Sequence, residues 1–102
     1  MLSPPPMIIA ELSIVPLGQT TSVSPFVKIA LKALRTTPNL TVTPNAMGTV
    51  LQARDLDTIL SAVHKAHDAV IAAGAKRVIT QLKIDDRRDK DATIETKLKS
   101  ID

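Results

Sequence analysis

The 102-residue sequence predicts an α+β fold: a four-stranded antiparallel sheet, two helices on one of its faces and a short C-terminal helix. Two observations carry this. The hydrophobic period switches between two and about 3.6 in the order strand, helix, strand, strand, helix, strand, which is the split βαβ, ferredoxin-like order βαββαβ. Start and stop residues also stand at the borders of both helical segments. Such a sandwich leaves its second sheet face without cover inside the chain, so that face is expected to be wet and polar or to meet another copy.

Pro4 to Pro6 fit neither helix nor ladder, so residues 1–6 are expected as a flexible lead-in and 7–102 as one domain. Met7 to Leu17 alternates as a strand, apolar on both faces, as suits a central position, and is closed by Pro16 and Gly18. Ser24 followed by Pro25 is a helix start, and Phe26, Ala30, Ala33 and Leu34 give that helix its apolar side as far as Thr36. Lys28, Lys32 and Arg35 take the wet side. Leu40 to Pro44 and Met47 to Ala53 read as a hairpin turning at Pro44-Asn45-Ala46. Asp55 caps a second helix that runs to Ala73, where Gly74 stops it, with Leu56, Ile59, Leu60, Val63, Val70 and Ile71 as its core stripe. Arg77 to Asp85 alternates as the last strand. Ala92 to Ile101 forms the tail helix, with Ile94, Leu98 and Ile101 in one stripe and Glu95 facing Lys99 outside.

With one Phe and no Trp or Tyr, the core has to be filled by Ile, Leu, Val, Ala and Met. A chain this short buries only about two-thirds of its unfolded surface, so self-association would add useful burial. The net charge of +3 invites a nucleic-acid reading. However, the densest charged run, Lys83 to Asp91, sets four cations against four anions, and single-strand binding also wants stacking rings that this chain lacks. Without cysteine there is no disulfide, thiolate nucleophile or zinc-thiolate site. The first residues do not follow the signal-peptide pattern and no apolar run is long enough for a membrane span, so a cytoplasmic protein is expected.

If Leu12, Ile14, Val42, Leu82 and Ile84 face the helices, then Glu11, Ser13, Thr41, Thr43, Gln81 and Lys83 line the open face, joined by Thr49 from the third strand. A neutral hydrogen-bonding surface flanked by Ile9, Val15 and Ile79 has the composition of a small-molecule pocket. His64 and His67 are spaced to share a helix face, but no third ligand accompanies them. His67 therefore reads as a core or pocket-wall histidine and His64 as a flank residue. No phosphate loop, nucleophile elbow or metalloprotease motif is present, so neither an enzyme nor a bound cofactor is expected.

The run Ser13-Ile14-Val15-Pro16-Leu17-Gly18, then Ser22-Val23-Ser24, Met47-Gly48-Thr49-Val50, Lys76-Arg77-Val78 and Lys83-Ile84-Asp85-Asp86-Arg87-Arg88-Asp89-Lys90 resembles the small thiamine-binding protein family over residues 7–101. The resemblance implies the ferredoxin-like fold, pairing of protomers through their sheets into dimers or tetramers with help from the C-terminal helix, and non-catalytic binding of thiamine or its hydroxymethylpyrimidine moiety. It places Gly48, Thr49, His67, Lys83, Asp85, Arg87 and Asp89 on family positions. Where the family usually carries Glu-Gly this chain has Gln52-Ala53, which replaces a carboxylate by an amide that can still accept and donate. The expected ligand-binding residues are thus Glu11, Ser13, Thr49, Gln81 and Lys83, with Glu11 accepting from an aminopyrimidine. The competing expectation is a structural or regulatory homo-oligomer without a small-molecule ligand.

Overall fold

In the computed structural model, residues 7–18, 24–88 and 94–101 are described; the lead-in at 1–6, the segment around Ser22 and Val23, and Asp89 lie outside them, as do the side chains of Ile94 and Glu95. The elements are β1 (Ile8–Pro16), α1 (Ser24–Arg35), β2 (Thr41–Asn45), β3 (Gly48–Ala53), α2 (Leu56–Ala72), β4 (Val78–Asp86) and α3 (Ile94–Ile101). The four strands form one antiparallel sheet in the order β2-β3-β1-β4, which is the expected ferredoxin-like topology.

β1 is hydrogen-bonded on both sides, the central position that the sequence indicates. Its pairing with β3 covers only Ile8 to Leu12, whereas its pairing with β4 runs on to Pro16 opposite Val78. Pro16 is tolerated because β3 has ended before it is reached. On β2, Pro44 sits in an edge strand, where a missing donor costs little. The hairpin turns at Ala46 and Met47, one residue later than the sequence indicates, and neither turn residue has a positive φ. Gly48 follows, and a Cβ there would lie 3.1 Å from the Leu12 carbonyl oxygen, so the absence of a side chain lets β3 approach β1 closely.

The core lies between the sheet and α1 and α2, with Leu34, Leu51, Ile59 and Val70 its largest fully buried side chains. Alanine fills the rest: Ala10 and Ala53 on the sheet, Ala30 on α1, and Ala62 and Ala66 on α2 are all buried. This corrects the stripe expected for the second helix. Ile59, Ala62, Ala66 and Val70 point inward, while Leu56, Leu60 and Ile71 flank the contact and stay partly wet. The helix turns its smaller residues to the sheet because they permit a closer approach.

Both ends of α2 are closed as the sequence indicates. Asp55 accepts hydrogen bonds from the backbone N–H and the hydroxyl of Thr58, both at 2.8 Å, and these donors hold its carboxyl below the ordinary 3.8. At the other end the Gly74 N–H donates to the Ile71 carbonyl at 3.0 Å with φ at +112°, a conformation that favours glycine. Just beyond α1, Thr37 is buried, and its hydroxyl finds no partner among the described residues.

Two outcomes are expected. Asp55→Ala should lower the melting temperature at neutral pH by on the order of 5 °C. Because the folded-state pKa is depressed, the contribution is complete above the ordinary aspartate range and is lost as pH falls through the lowered value, so the stabilities of wild type and variant should converge on the acid side in pH-dependent calorimetry. Thr37→Val keeps the shape and removes the orphaned hydroxyl, and it should raise stability by about 1 kcal/mol in denaturant titration; a loss of similar size would mean that the hydroxyl is satisfied in solution.

Candidate functional site

Directly opposed residues of an antiparallel pair share a face, so the register decides what each side of the sheet displays. On the side away from α1 and α2, Glu11 stands between Val50 and Lys83, Ser13 opposite Gln81, Val15 opposite Ile79, and Thr43 opposite Val50. Four of the five expected ligand-binding residues, Glu11, Ser13, Gln81 and Lys83, are therefore on this open face. Thr49 is not. It stands opposite Leu12 and in phase with the fully buried Leu51 and Ala53, so its hydroxyl belongs to the helix side.

Two clefts follow from this division. The first, of about 530 Å³, has Ile9 and Val50 with Glu11 and Lys83 from the open face, and Lys97 and Leu98 from α3. The second, of about 380 Å³, lies on the helix side between α1, the hairpin tip and the stretch of β1 that β3 leaves unpaired, and it includes Thr49 with Leu12 and Leu31. Ser13 touches this second cleft and Gln81 lines neither. The expected site thus resolves into Glu11 and Lys83 together in the first cleft, Ser13 and Gln81 farther along the same face, and Thr49 across the sheet.

The open face is not wholly bare, which modifies the sequence expectation. Lys97 of α3 forms an ion pair with Asp85, bringing α3 to one end of the face, and Ile9 there is only 8% exposed. Leu98 and Ile101 on the same helix remain 55% and 79% exposed. Neither Lys97 nor Leu98 stands out in the sequence as a wall of this cleft. The signal was the amphipathic stripe of the tail, whose destination cannot be read from its period.

The charges around the first cleft sort into pairs. Arg88 grips Asp86 with Nε at 2.8 Å and Nη2 at 2.9 Å, which holds the Asp86 carboxyl below its usual range and raises the guanidinium above its own. Lys97 takes Asp85. Glu11 and Lys83, although cross-strand neighbours, form no ion pair or side-chain hydrogen bond among the described residues.

His67 lies behind the sheet on the helix side, half-buried, with Nδ1 and the Thr80 hydroxyl 2.7 Å apart, an internal tie between α2 and β4. His64 is exposed and faces Asp68 one turn on, at 2.9 Å. No group of three or more His, Asp or Glu placed to hold a metal occurs among the described residues. No helix there is long and apolar enough to cross a membrane.

A family profile described as thiamine-binding protein matches residues 10–102. A UPF0045 protein from Methanothermobacter thermautotrophicus is 48% identical over 96 residues, covering 93% of this chain and 96% of the relative. Among solved structures, a hypothetical protein from Methanocaldococcus jannaschii superposes with a TM-score of 0.85 at 49% identity, over 93% of this chain and 95% of the other. A Thermotoga maritima protein provisionally assigned to thiamine biosynthesis or salvage superposes with a TM-score of 0.78 over 95% of this chain and all of its own, and at 18% identity it shares the fold alone. With a profile that spans nearly the whole chain and a relative this similar over nearly its whole length, the chain belongs to the thiamine-binding protein family.

Proposed function

We propose that the chain reversibly binds thiamine or a hydroxymethylpyrimidine-type ligand, without catalysis, in the cleft between the open sheet face and α3. Family membership supports the ligand class. The observation that carries the location is the placement of Glu11, a carboxylate with no partner among the described residues, beside the apolar Ile9 and Val50 in a cleft of about 530 Å³. A flat aminopyrimidine needs an apolar surface for its ring and an acceptor for its amino group, and a cleft of this size is in the range that holds such ligands. Ser13 and Gln81, farther along the face, are available to the remainder of the molecule.

Glu11→Gln keeps the volume and removes the charge. Thiamine or hydroxymethylpyrimidine affinity should fall by about 1 to 3 kcal/mol in titration calorimetry while melting is little altered. Unchanged affinity would move the ligand elsewhere, with the helix-side cleft beside Thr49 the next place to test.

A second reading, assembly of copies without a ligand, is favoured by a different observation. Val15 and Ile79 stand opposite each other on the open face at 41% and 43% exposure, an apolar pair in want of a cover. Assembly and ligand binding are compatible, and a dimer or tetramer is proposed here too. Sedimentation at micromolar concentration should give a species larger than the 10.9 kDa protomer, and Ile79→Lys should reduce it. A thermal-shift series separates the two readings, because a ligand that binds the folded state must raise its melting temperature.

A further inference from the structure

Among the described residues, the charged side chains around the first cleft are three carboxylates, Glu11, Asp85 and Asp86, and two ammonium groups, Lys83 and Lys97. Lys97 engages Asp85, and Arg88, from just outside, engages Asp86 through both oxygens. What remains is one carboxylate and one ammonium, Glu11 and Lys83, on neighbouring positions of adjacent strands. Cβ atoms so placed are about 5 Å apart, close enough for an ion pair, yet the two groups form none. They are available to a ligand as adjacent sites of opposite sign.

An aminopyrimidine of this class carries its amino group and its methylene arm on neighbouring ring carbons, so a ring whose amine reaches Glu11 can turn its arm to the Lys83 side, Glu11 standing between Lys83 and the apolar Val50. The nature of the arm then decides the affinity. In thiamine the arm ends in a thiazolium with a fixed positive charge, which would be set against the Lys83 ammonium. In a hydroxymethylpyrimidine the arm is a neutral alcohol, and in its phosphate ester it is an anion that an ammonium receives through charge-assisted hydrogen bonds. Like charges facing each other across a cleft are a means of rejecting one ligand in favour of another.

We infer that Lys83 sets the ligand preference of the site, favouring an aminopyrimidine with a phosphorylated hydroxymethyl arm over thiamine itself. The inference rests on the pyrimidine-binding reading above and goes beyond it by naming which member of the class is held and which residue decides.

The test compares three probes, thiamine, hydroxymethylpyrimidine and hydroxymethylpyrimidine phosphate, by calorimetry on wild type, Lys83→Met and Lys83→Arg, with circular dichroism melts as the folding control. On wild type the phosphate ester should bind at least about tenfold more tightly than thiamine, and its affinity should weaken as salt is raised. Lys83→Met should erase that preference, and Lys83→Arg should restore it. Thiamine binding as tightly as the ester on wild type, or a preference that survives Lys83→Met, overturns the role of Lys83 and leaves pyrimidine binding intact. Failure of all three probes on folded wild type overturns the pyrimidine reading together with this inference.

Discussion

The register of β1 is the constraint on which the rest of the structure depends. As the strand bonded on both sides, it sets the phase of β3 through Ala10 opposite Leu51 and of β4 through Leu12 opposite Leu82. A slip by one residue would carry Ala10 and Leu12 out of the core and put Glu11 into it. The burial of the first set and the exposure of the second therefore fix the fold and the site in one step. Gly48 belongs to the same constraint, since it is where the Leu12 backbone and the start of β3 come closest.

That central strand also separates two environments that differ in kind. Behind it the space is closed mainly by alanines and aliphatic side chains, and His67 is tied there to Thr80. In front of it the side chains are polar with scattered apolar neighbours, and the charges are mostly matched within the chain. The Asp86 to Arg88 and Asp85 to Lys97 pairs are exposed and add little to stability, but they reduce the number of groups left to meet a ligand. Among the described residues around the cleft, Glu11 and Lys83 are the charges this leaves.

Much of this was legible in the sequence because strand and helix periods act over the whole length of an element. The order of elements, the Asp55 cap, the Gly74 stop and the outward phase of Glu11, Ser13, Gln81 and Lys83 all follow from period and local chemistry. Thr49 shows where that reasoning fails: the sequence joins it to the open face, yet Leu51 and Ala53, two and four residues on, share its phase and are fully buried. Period is the stronger guide, since a strand cannot turn one residue out of phase without a bulge. In α2 the sequence points to Ile59 and Val70 correctly, but size is a poor guide to the rest of the stripe, because the helix completes its contact with the small Ala62 and Ala66. The seat of α3 was not legible at all, because it depends on an ion pair across about a dozen residues of intervening chain.

The alanine seam also bears on how this fold can change over time. Where two surfaces meet through methyl groups, a substitution by anything larger acts as a wedge, and the separation it forces is transmitted along a whole helix rather than absorbed by a neighbouring rotamer. Ala62 and Ala66, one turn apart and both fully buried, leave α2 no slack in which to accommodate it. The helix side is thus closed to gradual variation. The open face has no such contact, and novelty in what the chain recognises can accumulate there residue by residue while the scaffold behind it stays the same.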